Sequence, residues 1–364
     1  MYSFEPSEEQ KMLIDVVKRY AENDLRPAAH EAEEEGKLPQ ALIEKGWELG
    51  ILQASIPEEY GGFGEYSVIT DVLATEELAW GDMAGAIAVM LPGLFMIPVM
   101  MVGSKEQKET YLSSIVEAEW TPYTAALLEG VMDFDPTDLQ TMATENGDEY
   151  ILQGEKRMVP FAADAKAMLV YANLDGKTQG FIVPEDTAGV SVGEREKLLG
   201  LNALPNYSVR FDDVRIPKEN RLGGPGGHDF APIIDSARLA MAAIAVGMAR
   251  GALEYSVDYA KERTVFGVKV AQKQAIAFMI AEMDAELEAA RLLTWEAAWR
   301  LDNEKEEASK AAYLALMSAV DMAMMVTDRS VQILGGYGYI REYPVELWYR
   351  NGRGIAMLTG LAMV

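Results

Sequence analysis

The chain of 364 residues has no cysteine and only two histidines, His30 and His228. Disulfides, thiolate metal sites and a thiol nucleophile are therefore excluded, and a histidine-rich zinc or iron centre is not expected. Acidic residues outnumber basic ones 58 to 32, for a net charge of −26. Such a surface repels nucleic acid and anionic membranes, so neither is expected as a partner. Any anionic ligand, a nucleotide for instance, then needs locally gathered cations. The last stretch, EYPVELWYRNGRGIAMLTGLAMV from Glu342 to Val364, breaks the charge pattern. Charge is dense up to Arg353, and no ionisable side chain follows it.

The elements that must position such residues fall into three zones. A capping-box pattern, Ser7 with Gln10 three residues on, starts a helix whose apolar residues Leu13, Val16, Val17 and Tyr20 share a face. PEEYGGFGEY has no period and reads as a loop, and Lys105 to Val116 resumes helical spacing. Met83 to Gly103 is 21 residues without a charge, long enough to span a bilayer. Pro92 and Pro98 interrupt it, so a buried pair of core helices is the better reading. The middle zone holds short segments rich in β-branched and aromatic residues: EYILQGEKRMV, AMLVYANL, GFIVPED, VSVGERE and YSVRFDDVRIP. Turn residues separate them, which predicts an antiparallel β-domain. From Asp229 the helical period returns. Ile276, Met279, Ile280, Met283 and Leu287 mark one apolar face, and three helices up to about Leu334 predict an antiparallel bundle. The fold class is thus α+β, with domains at 1–120 (helical), 121–228 (β) and 229–364 (helical). The N-terminus has no basic region followed by an apolar run, which leaves the cytoplasm as the default compartment.

This plan, with PEEYGGFG, VGSKEQKETYL, VRFDDVRIPKENRLG, KERTVFG and VQILGGYGYIREYPVE in order, resembles the acyl-CoA dehydrogenase family over nearly the whole chain. The resemblance implies an FAD-dependent oxidoreductase, usually tetrameric. Members take a proton from the α-carbon of an acyl-CoA thioester and pass a hydride from the β-carbon to the flavin. Electron-transfer flavoprotein is the implied redox partner. The resemblance also implies that Arg263, Phe266, Gln274, Gln332, Gly335 and Gly336 hold the ADP part of FAD, much of it across a subunit boundary, and that Arg238 meets the substrate. Arginine supplies charge-assisted donors to a pyrophosphate, and glycines let backbone N–H groups approach it. The competing structural reading makes RTVFG a helix end and LGGYG a helix stop.

The positions that face the flavin ring and the acyl group depart from the family pattern. Leu128 replaces a threonine, Gly130 a proline and Phe134 a serine, while Glu129 and Asp135 remain. Met158, Val159 and Pro160 stand for tryptophan–isoleucine–threonine, and Asn202 stands for an arginine. Proline has neither hydroxyl nor N–H to offer a flavin. The catalytic glutamate is absent from both family positions, which are Thr359 and Ala237 here. A threonine hydroxyl is too weak a base for an α-proton near neutral pH. The resemblance leaves three readings: a baseless subunit of a heteromeric dehydrogenase, sharing FAD with a sister chain; a homo-oligomeric flavoenzyme with altered chemistry or a relocated base at Glu129, Asp135 or Asp235; and a non-catalytic protein that binds acyl-CoA or a partner.

Overall fold

The computed structural model describes residues 5–62, 64–117 and 119–364. Phe63 of the loop motif therefore lies outside the described residues. The first helix, Glu8–Tyr20, opens as its sequence requires: the Ser7 hydroxyl accepts from Gln10 N, and the Ser7 amide donates to the Gln10 side chain at 2.9 Å. Val17 and Tyr20 are buried, whereas Val16 is exposed. Helices Met83–Val89 and Gly93–Val102 meet at a 50° bend beside Pro92 and are buried almost throughout. The uncharged stretch is thus a bent pair of core helices, as its two prolines predict.

Seven strands form the middle sheet: β1 Tyr123–Ala126, β2 Met142–Asn146, β3 Glu149–Pro160, β4 Ala167–Leu174, β5 Lys177–Pro184, β6 Val190–Arg195 and β7 Asn206–Pro217. They run in the order β1-β4-β2-β3-β7-β6, with β5 paired to β4. The sheet is mixed rather than purely antiparallel. β1 lies parallel to β4 along four residue pairs, and β2 touches β4 parallel at Met142 and Asn173. The hairpin β2–β3 is inserted between β1 and β4 in sequence, and this long connection lets the two run the same way. The β3–β7 pairing shifts register between Lys156 and Val159. In that bulge Met158 takes a left-handed φ of 55°.

Three long helices follow: Ala231–Glu262, Gln274–Asn303 and Lys305–Leu334. Two segments, Ala231–Glu262 and Glu306–Tyr339, are long and apolar enough to cross a membrane; the first is 83% buried over its apolar part and is the core of the bundle. On Gln274–Asn303 only the later part of the expected apolar face is buried. Met283 and Leu287 are buried, while Ile276, Met279 and Ile280 are half-exposed. The first turns of that helix project past the bundle core, and Phe278 beside them is exposed.

A charge network fastens the N-terminal helix Val68–Gly81 to the bundle. Arg250 contacts Glu76 and Glu77 at 2.6 Å each, Arg291 contacts Glu76 at 2.9 Å, and the Trp295 indole donates to Glu76 at 3.1 Å. The carboxylates are buried and fully engaged, the condition under which a buried charge is tolerated.

Candidate cofactor and acyl-thioester site

Two crevices and one larger pocket carry the residues singled out above. The first crevice lies at the end of the long helix Ala231–Glu262. Residues 264–269 form a hairpin, Val265 paired with Val268, with Phe266 and Gly267 in the turn. Phe266 is 94% exposed, so the tip projects from the chain. Nearby, helix Lys305–Leu334 stops where Gly335 turns left-handed and its N–H closes on the Gln332 carbonyl. Between hairpin and helix stop is a space of about 470 Å³ lined by Tyr259, Arg263, Lys273, Gly335, Gly336 and Tyr337 with apolar neighbours. The Arg263 guanidinium lies 5.0 Å from the Tyr337 ring centre, and the Lys273 ammonium 5.5 Å from that of Phe266. Among the described residues neither cation has a carboxylate in salt-bridge range. On so acidic a chain, two cations without carboxylate partners beside a side-chain-free glycine turn form an anion-binding set.

Arg263, Gly335 and Gly336 therefore come together, and Phe266 joins them through Lys273. Gln274 and Gln332 are exposed and sit one residue from the lining residues Lys273 and Ile333, without lining the crevice themselves. Lys273 and Tyr337 were not expected from the sequence. A lysine next to Gln274 was the only signal for the first, and the tyrosine of LGGYG for the second.

The second crevice faces Met158. It measures about 120 Å³ and is lined by Met158, Leu198 to Leu201, Arg350, Asn351, Arg353, Gly354, Met357 and Leu358. Of its two lining cations Arg350 is paired within the chain, whereas Arg353 is exposed and has no carboxylate in salt-bridge range among the described residues; the polar residues that flank the crevice are paired as well. Arg157 pairs with Glu196 at 2.7 Å, and the same carboxylate accepts from Met158 N at 3.3 Å. Arg350 contacts Glu33 at 2.5 Å and Glu346 at 2.7 Å. Asn202 donates to Glu33 at 2.7 Å. Three non-glycine residues around this face, Met158, Phe161 and Leu201, hold left-handed backbone conformations. Such strain persists only where the surroundings over-determine it.

Beside this face run the loop Leu127–Gly130 and the tail. Glu129 and Lys156 form a buried ion pair at 2.7 Å, both side chains at 3% exposure or less. Glu129 also accepts from Gln140 N at 2.7 Å and Thr141 N at 2.8 Å, and Lys156 donates to the Leu127 carbonyl at 3.0 Å. Burial raises the Glu129 pKa, but Lys156 and the N–H donors outweigh it and hold it below the ordinary carboxylate range. Glu129 is thus held as a buried anion with both oxygens engaged within the chain. Asp135 is exposed and engaged by the Thr137 amide at 2.8 Å and by its hydroxyl. The Thr137 donors keep its pKa below the ordinary range.

Thr359 is half-buried, and Ala237 is buried near the start of helix Ala231–Glu262. After Thr359, Gly360 takes φ 106°, and a Cβ there would come 2.8 Å from Leu127. Only glycine fits both demands. The tail then runs buried to Val364, whose carbonyl accepts from Tyr66 at 2.6 Å and from Ser236 at 2.5 Å. Ser236 precedes Ala237, so the loop, the tail and both base positions belong to one neighbourhood. Near Tyr66 lies Asp71, buried and bonded to Ser55 at 2.7 Å, with its second oxygen unpartnered. Burial pushes its pKa up to about 7.

Arg238 opens onto a pocket of about 710 Å³ between the sheet and the bundle. It pairs with Asp235 at 2.9 Å, and Asp235 also accepts from Ser309. Lys177, Gln179, His228 and Asp229 face the same space. Burial pushes the Asp235 carboxyl above its ordinary pKa.

The chain belongs to the acyl-CoA dehydrogenase family. Models of the family's N-terminal, middle and C-terminal domains match residues 7–119, 126–214 and 229–362. The chain is 36% identical to the mitochondrial short-chain specific acyl-CoA dehydrogenase of Sus scrofa, over 96% of this chain and 86% of that one. It is also 36% identical to the caffeyl-CoA reductase–Etf complex subunit CarC of Acetobacterium woodii, over 98% and 96%. The structure of butyryl-CoA dehydrogenase from Megasphaera elsdenii superposes with a TM-score of 0.89 at 32% identity, covering all of this chain and 96% of the other.

The family acts in FAD-dependent acyl-CoA oxidation. The two ends of that cofactor fare differently against this chain. The larger crevice, with its unpaired Arg263 and Lys273, fits the ADP end. The space beside Met158, about 120 Å³, falls below the roughly 300 Å³ at which ligand pockets begin. A three-ring system does not fit there as the side chains stand.

Proposed function

We propose that this chain is the non-catalytic subunit of a heteromeric, FAD-dependent acyl-CoA dehydrogenase, lending its ADP clamp to the flavin of a sister subunit. One observation carries the reading: the clamp crevice is about 470 Å³ and holds two cations without carboxylate partners among the described residues, while the ring-side crevice is only about 120 Å³ and Thr359 and Ala237 stand where the resemblance puts a base. Flavin, when bound, accepts the substrate's β-hydride. The residues assigned to this chain's part are Arg263, Lys273, Phe266, Gln274, Gln332, Gly335 and Gly336, which hold a dianionic pyrophosphate against the field of an acidic protein. Arg238 and its pocket are assigned to the acyl-CoA arm. The exposed apolar side chains of the bundle, Phe278, Leu292, Leu293, Leu314 and Met317, supply the surface for a neighbouring subunit. Electron-transfer flavoprotein is the proposed electron acceptor, by analogy with CarC, and the cytoplasm the proposed compartment.

The test is flavin stoichiometry. Purified alone, the chain should be colourless. Co-purified with a sister chain that retains its glutamate, the complex should carry one FAD per pair of chains. One FAD per chain in the protein alone, with oxidation of an acyl-CoA, would replace this reading with that of a self-sufficient enzyme.

A further inference from the structure

We propose that His228, in its neutral form, is a positioning residue that holds the sheet-side wall of the Arg238 pocket, and that its protonation releases that wall. The proposal deepens the assignment of this pocket to the acyl-CoA arm and rests on it for the identity of the ligand only.

Strand β5 pairs with β4 and supplies Lys177, Thr178 and Gln179 to the pocket. Its other edge has no neighbouring strand. The segment after β7 covers part of that edge: Leu222 N donates to the Gly180 carbonyl at 2.9 Å, and the Asn220 amide to the Ile182 carbonyl at 3.0 Å. The Gly180 N–H is left over, and it donates to His228 Nε2 at 2.9 Å. A side chain thus takes the place of a ladder hydrogen bond. Gly180 suits this because a Cβ would come 3.4 Å from that nitrogen and closer still to Leu169.

The contact fixes the tautomer. Because Nε2 accepts, Nδ1 carries the proton and donates to the Asp229 carbonyl at 3.1 Å. The backbone of His228 is clamped as well. Its N–H donates to the Gln179 side-chain oxygen at 3.2 Å, and its carbonyl accepts from the Gln179 amide at 2.9 Å. Arg221 donates to the same Gln179 oxygen at 2.8 Å. The imidazole therefore stitches the strand that forms one wall to the segment leading into helix Ala231–Glu262, which forms the other.

A second proton would go to Nε2 and set one N–H donor against another. It would also place a cation near the Arg221 guanidinium. The opposing influence is Asp229, next in sequence. Lys177 and the Asp235–Arg238 pair line the same pocket, with Asp235 already engaged by Arg238 and Ser309. Burial first, with Arg221 behind it, pushes His228 below the ordinary histidine range, while Asp229 works the other way. The wall is therefore held at neutral pH and loosens as pH falls through the His228 pKa.

Two histidines make the experiment direct. In the full-length chain, the two imidazole Hε1 signals are followed by NMR from pH 8 to pH 5, and His228→Gln assigns the His228 signal by its loss. His228 should titrate below the ordinary histidine range, and the Gly180 amide should lose exchange protection over the same interval. Binding of coenzyme A, followed by calorimetry, should weaken over that interval too. His228→Gln keeps an acceptor but no titration, so its affinity should stay near the pH 8 value throughout. His228→Phe should lose about fivefold at every pH, the worth of one hydrogen bond. Titration of His228 within the ordinary histidine range or above it, or His228→Gln retaining the wild-type pH profile, overturns the proposal. If coenzyme A binds at no pH, the ligand assignment fails, and the titration with Gly180 exchange still decides the wall.

Discussion

The clamp crevice and the ring-side crevice lie in one chain and have opposite polar economies. At the clamp, Arg263 and Lys273 face aromatic rings without a carboxylate partner among the described residues, and a Cβ added at Gly335 or Gly336 would meet nothing within 4 Å. At the ring side, Arg157, Asn202 and Arg350 are each taken up by Glu196, Glu33 or Glu346. The contrast teaches how to tell a binding surface from a structural one within a single chain. Unpaired donors in an open space retain the capacity to bind, whereas donors matched within the chain hold the fold.

The sharpest way to strain this contrast is at its most structural point. Lys156→Met leaves Glu129 buried without its cation. The expected loss of stability is about 3–5 kcal/mol, the range for breaking a buried pair from one side. Urea denaturation measures it, and a loss under 1 kcal/mol would mean that the loop Leu127–Gly130 is free for another task.

Asp71 is the exception on this side, since one of its oxygens has no partner. Protonation resolves that. Its pKa rises from 3.8 to about 7 on folding, so the folded chain binds more protons than the unfolded one between these values. Stability should therefore be undiminished below about pH 4 and decline as pH rises towards 7. The shift corresponds to an upper bound on the order of 4 kcal/mol. Asp71→Asn should stabilise the chain at pH 8 and change little at pH 4. Denaturation curves at both values check this, and an equal effect at the two would refute it.

The clamp side is probed by Arg263→Ala. Losing one charge-assisted contact is worth about 1.5–3 kcal/mol, tenfold or more in FAD affinity of the assembled complex. The matched control is Arg157→Ala, a half-exposed pair worth about 0.2–1 kcal/mol of stability and nothing in FAD binding. Fluorescence titration of FAD into both complexes measures the difference. Equal losses would erase the distinction between the crevices.

Much of the frame was legible from local patterns. Ser7 with Gln10 marked a helix start, AMLVYANL is strand β4 in full, and three long helices close the chain where the helical period returns. The missed strands are short. β1 has four residues, and β2 reads Met-Ala-Thr-Glu-Asn, too polar for its alternation to register. Parallel pairing of β1 with β4 is set by tertiary contact, which leaves no local trace. The same holds for the site. Glu129 and Lys156 are separated by 26 residues, and nothing in either neighbourhood announces a buried pair. His228 looked like a lone histidine because its partner, Gly180, meets it only after the segment following β7 folds back on β5.

The smallest expected effect belongs to the position that first posed the functional question. Thr359→Glu places a carboxylate where the sequence resemblance puts the family's base. The residue is half-buried beside Gly360 and Leu358, so the change in stability should stay within about 1 kcal/mol. Acyl-CoA-dependent dye reduction by the protein should nevertheless remain near background. A base alone removes a proton only if the β-hydride has somewhere to go, and the space beside Met158, among Leu198 to Leu201, Arg350 and Met357, is only about 120 Å³. A shift of about 1 Å can cost roughly 100-fold in rate, and here a whole face would have to reopen. Rapid dye reduction by the single variant would show that the ring-side crevice opens readily, and the two crevices would then differ in occupancy rather than in capacity.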